Sequence, residues 1–174
     1  MSKIIFLVGA RAAGKTTMGK LLAQQLGFSF VDTDVHLLET TKKTVAEIVE
    51  KEGWEGFRAR ESQVLRDVVE ADRVIATGGG MVLADHNRDF MKSKGTVFYL
   101  SAPAKVLAGR LAADPNIAQR PSLTGLSIVD EMEKVLTDRQ ALYLDAAHHV
   151  LDAAAQRDEV LGQMIEVLKA RQAG

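Results

Sequence analysis

An α/β fold built on a parallel sheet is predicted by three features. Short apolar runs of strand length recur along the chain, longer stretches of helical period separate them, and a glycine-rich turn joins the first run to the first helical stretch. The strand-length runs are residues 3–8, 29–32, 73–77, 96–101 and 149–152. Between the first two, Met18, Leu21, Leu22 and Leu26 fall at spacings of three and four and form one apolar helix face. Gly27 stands where a left-handed cap would end that helix. In TVAE, Thr44 precedes Glu47 by three residues, a capping box that opens another helix, and Gly53 is expected to break it. Further helical runs cover 56 to about 69, 105–113, 128–146 and 159–171. Residues 114–125, DPNIAQRPSLTG, carry two prolines and several helix breakers, and they read as a surface loop.

With 174 residues and 47% hydrophobic content, the chain is expected to fold as a single domain spanning residues 1–174. Its 22 basic and 23 acidic residues are well mixed, giving a formal charge of −1, so no basic face is expected for nucleic acid or an anionic membrane. Cysteine is absent, which excludes disulfides and thiolate metal sites. The opening MSKIIFLVGARAAGKTT has an apolar run too short for a signal or transmembrane segment, and a cytoplasmic protein is expected. His36, His86, His148 and His149 show no metal-binding spacing and are read as structural. No apolar surface helix stands out, so a monomer is expected.

The glycine-rich turn is the most specific signal. Gly9, Gly14, Lys15 and Thr16 satisfy G-x-x-x-x-G-K-[ST], with a strand before and a helix after. Average residue usage would give this pattern by chance in ~1 of 200 chains of this length. Glycines let successive backbone N–H groups turn around an anion, the helix N-terminus adds partial positive charge, and the lysine reaches the β- and γ-phosphates. The segment Gly9, Ala10, Arg11, Ala12, Ala13, Gly14, Lys15, Thr16 and Thr17 is therefore expected to bind ATP or a similar triphosphate, with the Thr16 hydroxyl on Mg²⁺.

Three other clusters bear on the second substrate. In VDTD, Asp32 and Asp34 end the second strand, at the sheet edge where ligands bind. Asp32 can hold the Mg²⁺ shell through water, and Asp34 can orient or deprotonate a hydroxyl; the competing reading is a helix N-cap and its neighbour. In GWEGFRARES, Arg58 and Glu61 lie three apart on one helix face. They form either an arginine fork braced for a carboxylate or phosphate, or an ordinary solvated ion pair. The flanking Trp54 and Phe57 also fit plain core packing. In TGGGMV, Gly78, Gly79 and Gly80 follow the third strand, more glycines than a turn requires. No acidic residue ends that strand, which leaves Asp32 to serve the metal.

With the P-loop at 9–16, DTD at 32–34, GFRARE at 56–61, ATGGG at 76–80, RP at 120–121 and an arginine at 139 ahead of LY, the chain resembles the shikimate kinases. The stretches VDTD, VAEIVEKEGWEGFRARE and RPSLTG are similar to one enterobacterial subgroup of that family. The resemblance implies ATP-dependent phosphorylation of the 3-hydroxyl of shikimate in aromatic amino-acid biosynthesis. It also implies a three-layer, nucleoside-monophosphate-kinase-like P-loop fold with five parallel strands in the order 2-3-1-4-5. By resemblance, Arg58 and Arg139 grip the shikimate carboxylate, Asp34 bonds its hydroxyls and is the catalytic base, and Gly79 and Gly80 offer backbone contacts. Glu61 braces Arg58, while Lys15 and Arg120 spread over the γ-phosphate. Arg120 arrives on a lid at about 112–125, and the acceptor-binding part spans about 33–61. Arg110 matches the position that stacks on adenine; a solvated helix arginine is the alternative. Relatives often carry proline where this chain reads AAAQ at 153–156. Other small-molecule kinases, for gluconate or a nucleoside monophosphate, and a non-catalytic nucleotide-binding module stay open as alternatives.

Overall fold

The structure is a computed structural model that describes residues 3–113 and 127–173. Five strands, β1 (Ile4–Val8), β2 (Ser29–Asp32), β3 (Arg73–Ala76), β4 (Thr96–Ser101) and β5 (His149–Asp152), form one sheet in the order β2-β3-β1-β4-β5. Every neighbouring pair is parallel, and β1 lies at the centre with Phe6 opposite both Ile75 and Val97. The predicted strands are all present; β1 and β3 are each one residue shorter than expected.

Alternation along β1 divides the interior into two layers, because successive side chains point to opposite faces. Ile5 and Leu7 pack with Met18 and Leu22 of α1 (Lys15–Leu26) and with Met164 and Leu168 of α7 (Arg157–Ala173). Phe6 and Val8 pack with Leu65 of α3 (Val45–Val68), Met91 of α4 (Asp85–Lys94) and Tyr143 of α6 (Ile128–Ala146). These four of the five β1 side chains are fully buried, and each such burial stabilises the fold by about 1.5–3 kcal/mol. Helix α5 (Ala104–Ala112) completes the first layer through Leu107 and Leu111.

The helix signals act as the sequence implies. Gly27 adopts φ 72° and donates its N–H to the last turn of α1. Thr44 and Glu47 form a reciprocal capping box at the start of α3. Gly53, at φ 75° and ψ 173°, divides α3 into two limbs, a conformation that costs glycine little.

Two helices are additions to the predicted set. Helix α2 (Thr33–Thr41) follows β2 with no linker, since Asp32 both ends the strand and caps the helix by accepting from the N–H groups of Asp34 at 2.9 Å and Val35 at 3.2 Å. Its apolar signal is weak because Leu37 is its only buried aliphatic residue. Helix α4, DHNRDFMKSK, is mostly polar, with Met91 its one fully buried apolar side chain. Its task is to fix the short 3₁₀ turn Met81–Leu83 after the glycines, where Asn87 donates to the Met81 carbonyl at 3.0 Å and Arg88 to the Val82 carbonyl at 2.7 Å.

Candidate active site

The turn between β1 and α1 is shaped for an anion. A Cβ on Gly9 would lie 2.7 Å from the Leu100 carbonyl oxygen, so only glycine lets the loop leave β1 this close to β4. Gly14 caps α1 at φ 93°, with no side chain over the helix N-terminus, leaving the first N–H groups facing the loop. The Lys15 ammonium donates to the carbonyls of Gly9 at 2.6 Å and Ala10 at 2.9 Å, which holds it across the loop. The Thr16 hydroxyl donates to Asp32 Oδ2. Asp32 therefore is the helix N-cap of one of its readings, and its second oxygen meets the P-loop threonine. A hydroxyl and a carboxylate side by side are the hard oxygen donors Mg²⁺ prefers, and these two residues fit that ion.

Beside this cradle, a groove is lined by Ala12, Gly14, Thr17, Arg110, Ala153, Ala155 and Arg157. Arg110 is exposed, but its guanidinium is tied down, donating to the Ala12 carbonyl at 3.2 Å and the Ala153 carbonyl at 2.8 Å. It is not a freely solvated helix arginine.

A second cavity abuts the cradle, lined by Asp34, Trp54, Phe57, Arg58, Glu61, Gly79, Gly80 and Arg139, with Val45 and Arg11. The second limb of α3 supplies four of these at helical spacing, so they share one face. The Arg58 guanidinium donates to Glu61 at 3.0 Å and lies 5.3 Å from the Trp54 ring centre and 5.2 Å from that of Phe57. With the Glu61 side chain only 4% exposed, the solvated ion-pair reading fails. The two rings meet edge to face at 5.8 Å and act as the wall that steadies the arginine. Arg139 enters from α6, where its positive charge acts on the buried Tyr143 hydroxyl, and Tyr143 donates to the Gly79 carbonyl at 2.6 Å.

Two of the three glycines are explained by what a side chain would strike. A Cβ on Gly80 would lie 2.0 Å from Arg58 Nη1, and one on Gly78 would lie 2.6 Å from Asp34 Oδ1 and 2.8 Å from Glu61 Oε2. Gly79 has only ordinary contacts at that position, the nearest at 3.5 Å. Gly78, noted in the sequence only as one of three glycines, is therefore as constrained as Gly80, while the sequence reading includes neither Thr33, whose buried hydroxyl accepts from the Gly78 N–H at 3.1 Å, nor Tyr143. The spacing of four between Arg139 and Tyr143 is the one sequence signal that places Tyr143 on the site's side of α6.

Asp34, Arg11 and Gly79 line both the cradle and the second cavity. Arg11, expected only at the nucleotide, thus also borders the second cavity. Arg120 and residues 114–125 of the expected lid lie outside the described residues, and 112–113 close α5.

Glu61 is pushed up to about 7, chiefly by burial, against the pull of Arg58 and with added repulsion from Asp34. The fold thus favours the neutral carboxyl. Its stabilising contribution is complete below the unfolded value of 4.5 and is lost as pH rises to about 7, amounting to about 3 kcal/mol. Denaturant midpoints of the wild type should fall across that window, and Glu61→Gln should flatten the fall; parallel curves for the two proteins would contradict it.

Comparisons with known proteins agree with this geometry. The chain matches the family model for shikimate kinase over residues 11–169. Shikimate kinase 2 of Syntrophotalea carbinolica is 60% identical over 97% of this chain and 98% of its own length. Shikimate kinase 2 of Yersinia pseudotuberculosis is 58% identical over 97% of each, in line with the enterobacterial subgroup. A solved structure of shikimate kinase from Acinetobacter baumannii in complex with shikimate superposes with a TM-score of 0.92 at 32% identity, covering 100% of this chain and 97% of that one. Among the described residues no helix is long and apolar enough to cross a membrane. A phosphate cradle joined through Asp34 to an arginine-lined pocket, and matches that run the length of the chain, place this protein in the shikimate kinase family, the ATP-using phosphotransferases whose sequence pattern it carries.

Proposed function

We propose that the chain transfers the γ-phosphoryl group of ATP to the 3-hydroxyl of shikimate, and that Asp34 is the catalytic base. The observation that carries this is the shared wall: Asp34 borders both the triphosphate cradle and the pocket holding Arg58 and Arg139. Two cationic forks suit a carboxylate, and a carboxylate between them and the phosphates suits a hydroxyl. The complex of the Acinetobacter relative with shikimate supports the choice of acceptor.

In this scheme Arg58, braced by Glu61 and the two aromatic rings, and Arg139 hold the shikimate carboxylate. The 3-hydroxyl faces Asp34, which takes its proton as the new oxygen–phosphorus bond forms and the bond to the β-phosphate oxygen breaks, releasing ADP. Lys15 and Arg120 neutralise the transferring group. Gly79 and Gly80 admit the substrate close to the main chain, and Arg110 borders the nucleoside. Thr16 and Asp32 hold Mg²⁺, which supplies charge neutralisation across the phosphates. We further propose a monomeric, cytoplasmic enzyme of one domain, residues 1–174, with acceptor binding by about 33–61 and a lid at about 112–125.

The test is ADP release with ATP and Mg²⁺ against shikimate, gluconate, AMP and CMP, each beside a blank without acceptor. Turnover with shikimate alone is expected; turnover with none of the four would leave the P-loop and remove the kinase reading. Asp32→Asn keeps an acceptor for the α2 cap while removing the charge, so it should raise the Mg²⁺ concentration for half-maximal rate by roughly 10- to 100-fold. An unchanged Mg²⁺ dependence would take Asp32 out of the metal shell.

A further inference from the structure

Among the described residues two carboxylates are buried, Glu61 and Glu131, with side chains 4% and 6% exposed. Each bonds an arginine that lines the acceptor pocket: Glu61 bonds Arg58 at 3.0 Å, and Glu131 bonds Arg11 at 3.2 Å. The two pairs are built alike, yet only the first belongs to the scheme above. Arg11 also lines the phosphate cradle, which Arg58 does not.

We propose that Glu131 is a positioning residue: through Arg11 it holds a guanidinium at the boundary between the cradle and the acceptor pocket, where that group meets the phosphoryl group in transit and the bound acceptor acid. The inference rests on the functional reading given above. A first-turn acid is favoured at any helix N-terminus, but that preference does not require burial, and the exposed Asp130 already supplies it to α6. A carboxylate taken out of water is strongly disfavoured without a charged partner, so Glu131 is tied to the arginine it meets across the chain. Arg11 needs such a partner because its backbone sits in a loop that must stay open for an anion: the next residue, Ala12, is held at φ 66°. Helix α6 therefore serves the site twice, through Arg139 directly and through Glu131 by way of Arg11, eight residues and roughly 12 Å apart along one helix.

The experiment is a double-mutant cycle on shikimate phosphorylation with Glu131→Gln, Arg11→Ala and the pair, beside thermal midpoints and the KM for ATP. Glu131→Gln is expected to lower kcat/KM for shikimate by roughly 10- to 100-fold, the range for losing a hydrogen bond between charged groups. The KM for ATP should change less than twofold. Because Glu131 acts through Arg11, the double variant should be no slower than Arg11→Ala, and Glu131→Asp should recover part of the loss. Losses that multiply in the double variant, or a Glu131→Gln enzyme within twofold of wild type, would overturn the positioning role while wild-type turnover keeps the functional reading intact. Absence of wild-type turnover would sink both. If Glu131→Gln fails to fold, Arg11→Lys decides: it keeps the charge but loses the planar fork, and wild-type kinetics there would equally overturn the proposal.

Discussion

Asp34→Asn is expected to leave a folded protein that binds ATP normally and turns shikimate over more slowly by roughly two to four powers of ten, the usual contribution of general acid-base catalysis. Asparagine preserves the shape of the side chain and so preserves the close approach to Gly78, whose Cβ position lies 2.6 Å from Asp34 Oδ1. What it removes is the ability to take a proton at the boundary of the two cavities. Single-turnover rates under saturating ATP and shikimate separate this from binding. A rate within tenfold of wild type would reduce Asp34 to a group that orients the hydroxyl, and the proton would then have to leave another way.

Gly80→Ala should cost shikimate affinity about as much as Arg58→Ala, roughly 1.5–3 kcal/mol, without unfolding the protein. The new methyl would lie 2.0 Å from Arg58 Nη1, and no conformation of the turn is at issue. The obstacle is the far end of a flexible side chain, so Arg58 moves and the backbone need not. Its bond to Glu61 and its seat against Trp54 and Phe57 are lost together. Calorimetric titration of shikimate into each single variant and the double should show the two losses failing to add, since both act on one guanidinium. ATP affinity should be unchanged. Additive losses would mean that Gly80 contributes separately from Arg58. Trp54 gives an independent check as the single tryptophan of the chain, stacked beside the arginine: its emission should respond to shikimate in the wild type and much less in Gly80→Ala.

The sheet and the nucleotide cradle are legible in the sequence because both are written in consecutive residues. Strand β1 announces itself by an unbroken apolar run, and the P-loop by glycines at fixed offsets from a lysine. The capping box at Thr44 and the break at Gly53 are local in the same sense. The acceptor pocket is legible only in part. Arg58 and Glu61 are visible as a helical pair, but nothing in their spacing tells a buried brace from a solvated one; the aromatic wall and the carboxylate of Asp34, brought from α2, decide it. The burden of Gly78 comes from two carboxylates on other elements, and the partner of Arg11 lies 120 residues away. Helices α2 and α4 escaped notice because they bury little of their own, and a hydrophobic period reports only what is buried.

The central place of β1 has a consequence for how the chain is made. Its two neighbours, β3 and β4, are residues 73–76 and 96–101, so this strand has no partner until β3 has been made and lacks its second until β4 follows. The loop that cradles the phosphates hangs from the end of this strand, and Gly9 is shaped by the Leu100 carbonyl of β4. A nascent chain therefore gains its nucleotide site late, by closing long loops, and until then ATP has nothing to bind and cannot stabilise it. Any helper that shields the apolar stretch Ile4–Val8 during synthesis acts on the segment with the longest wait.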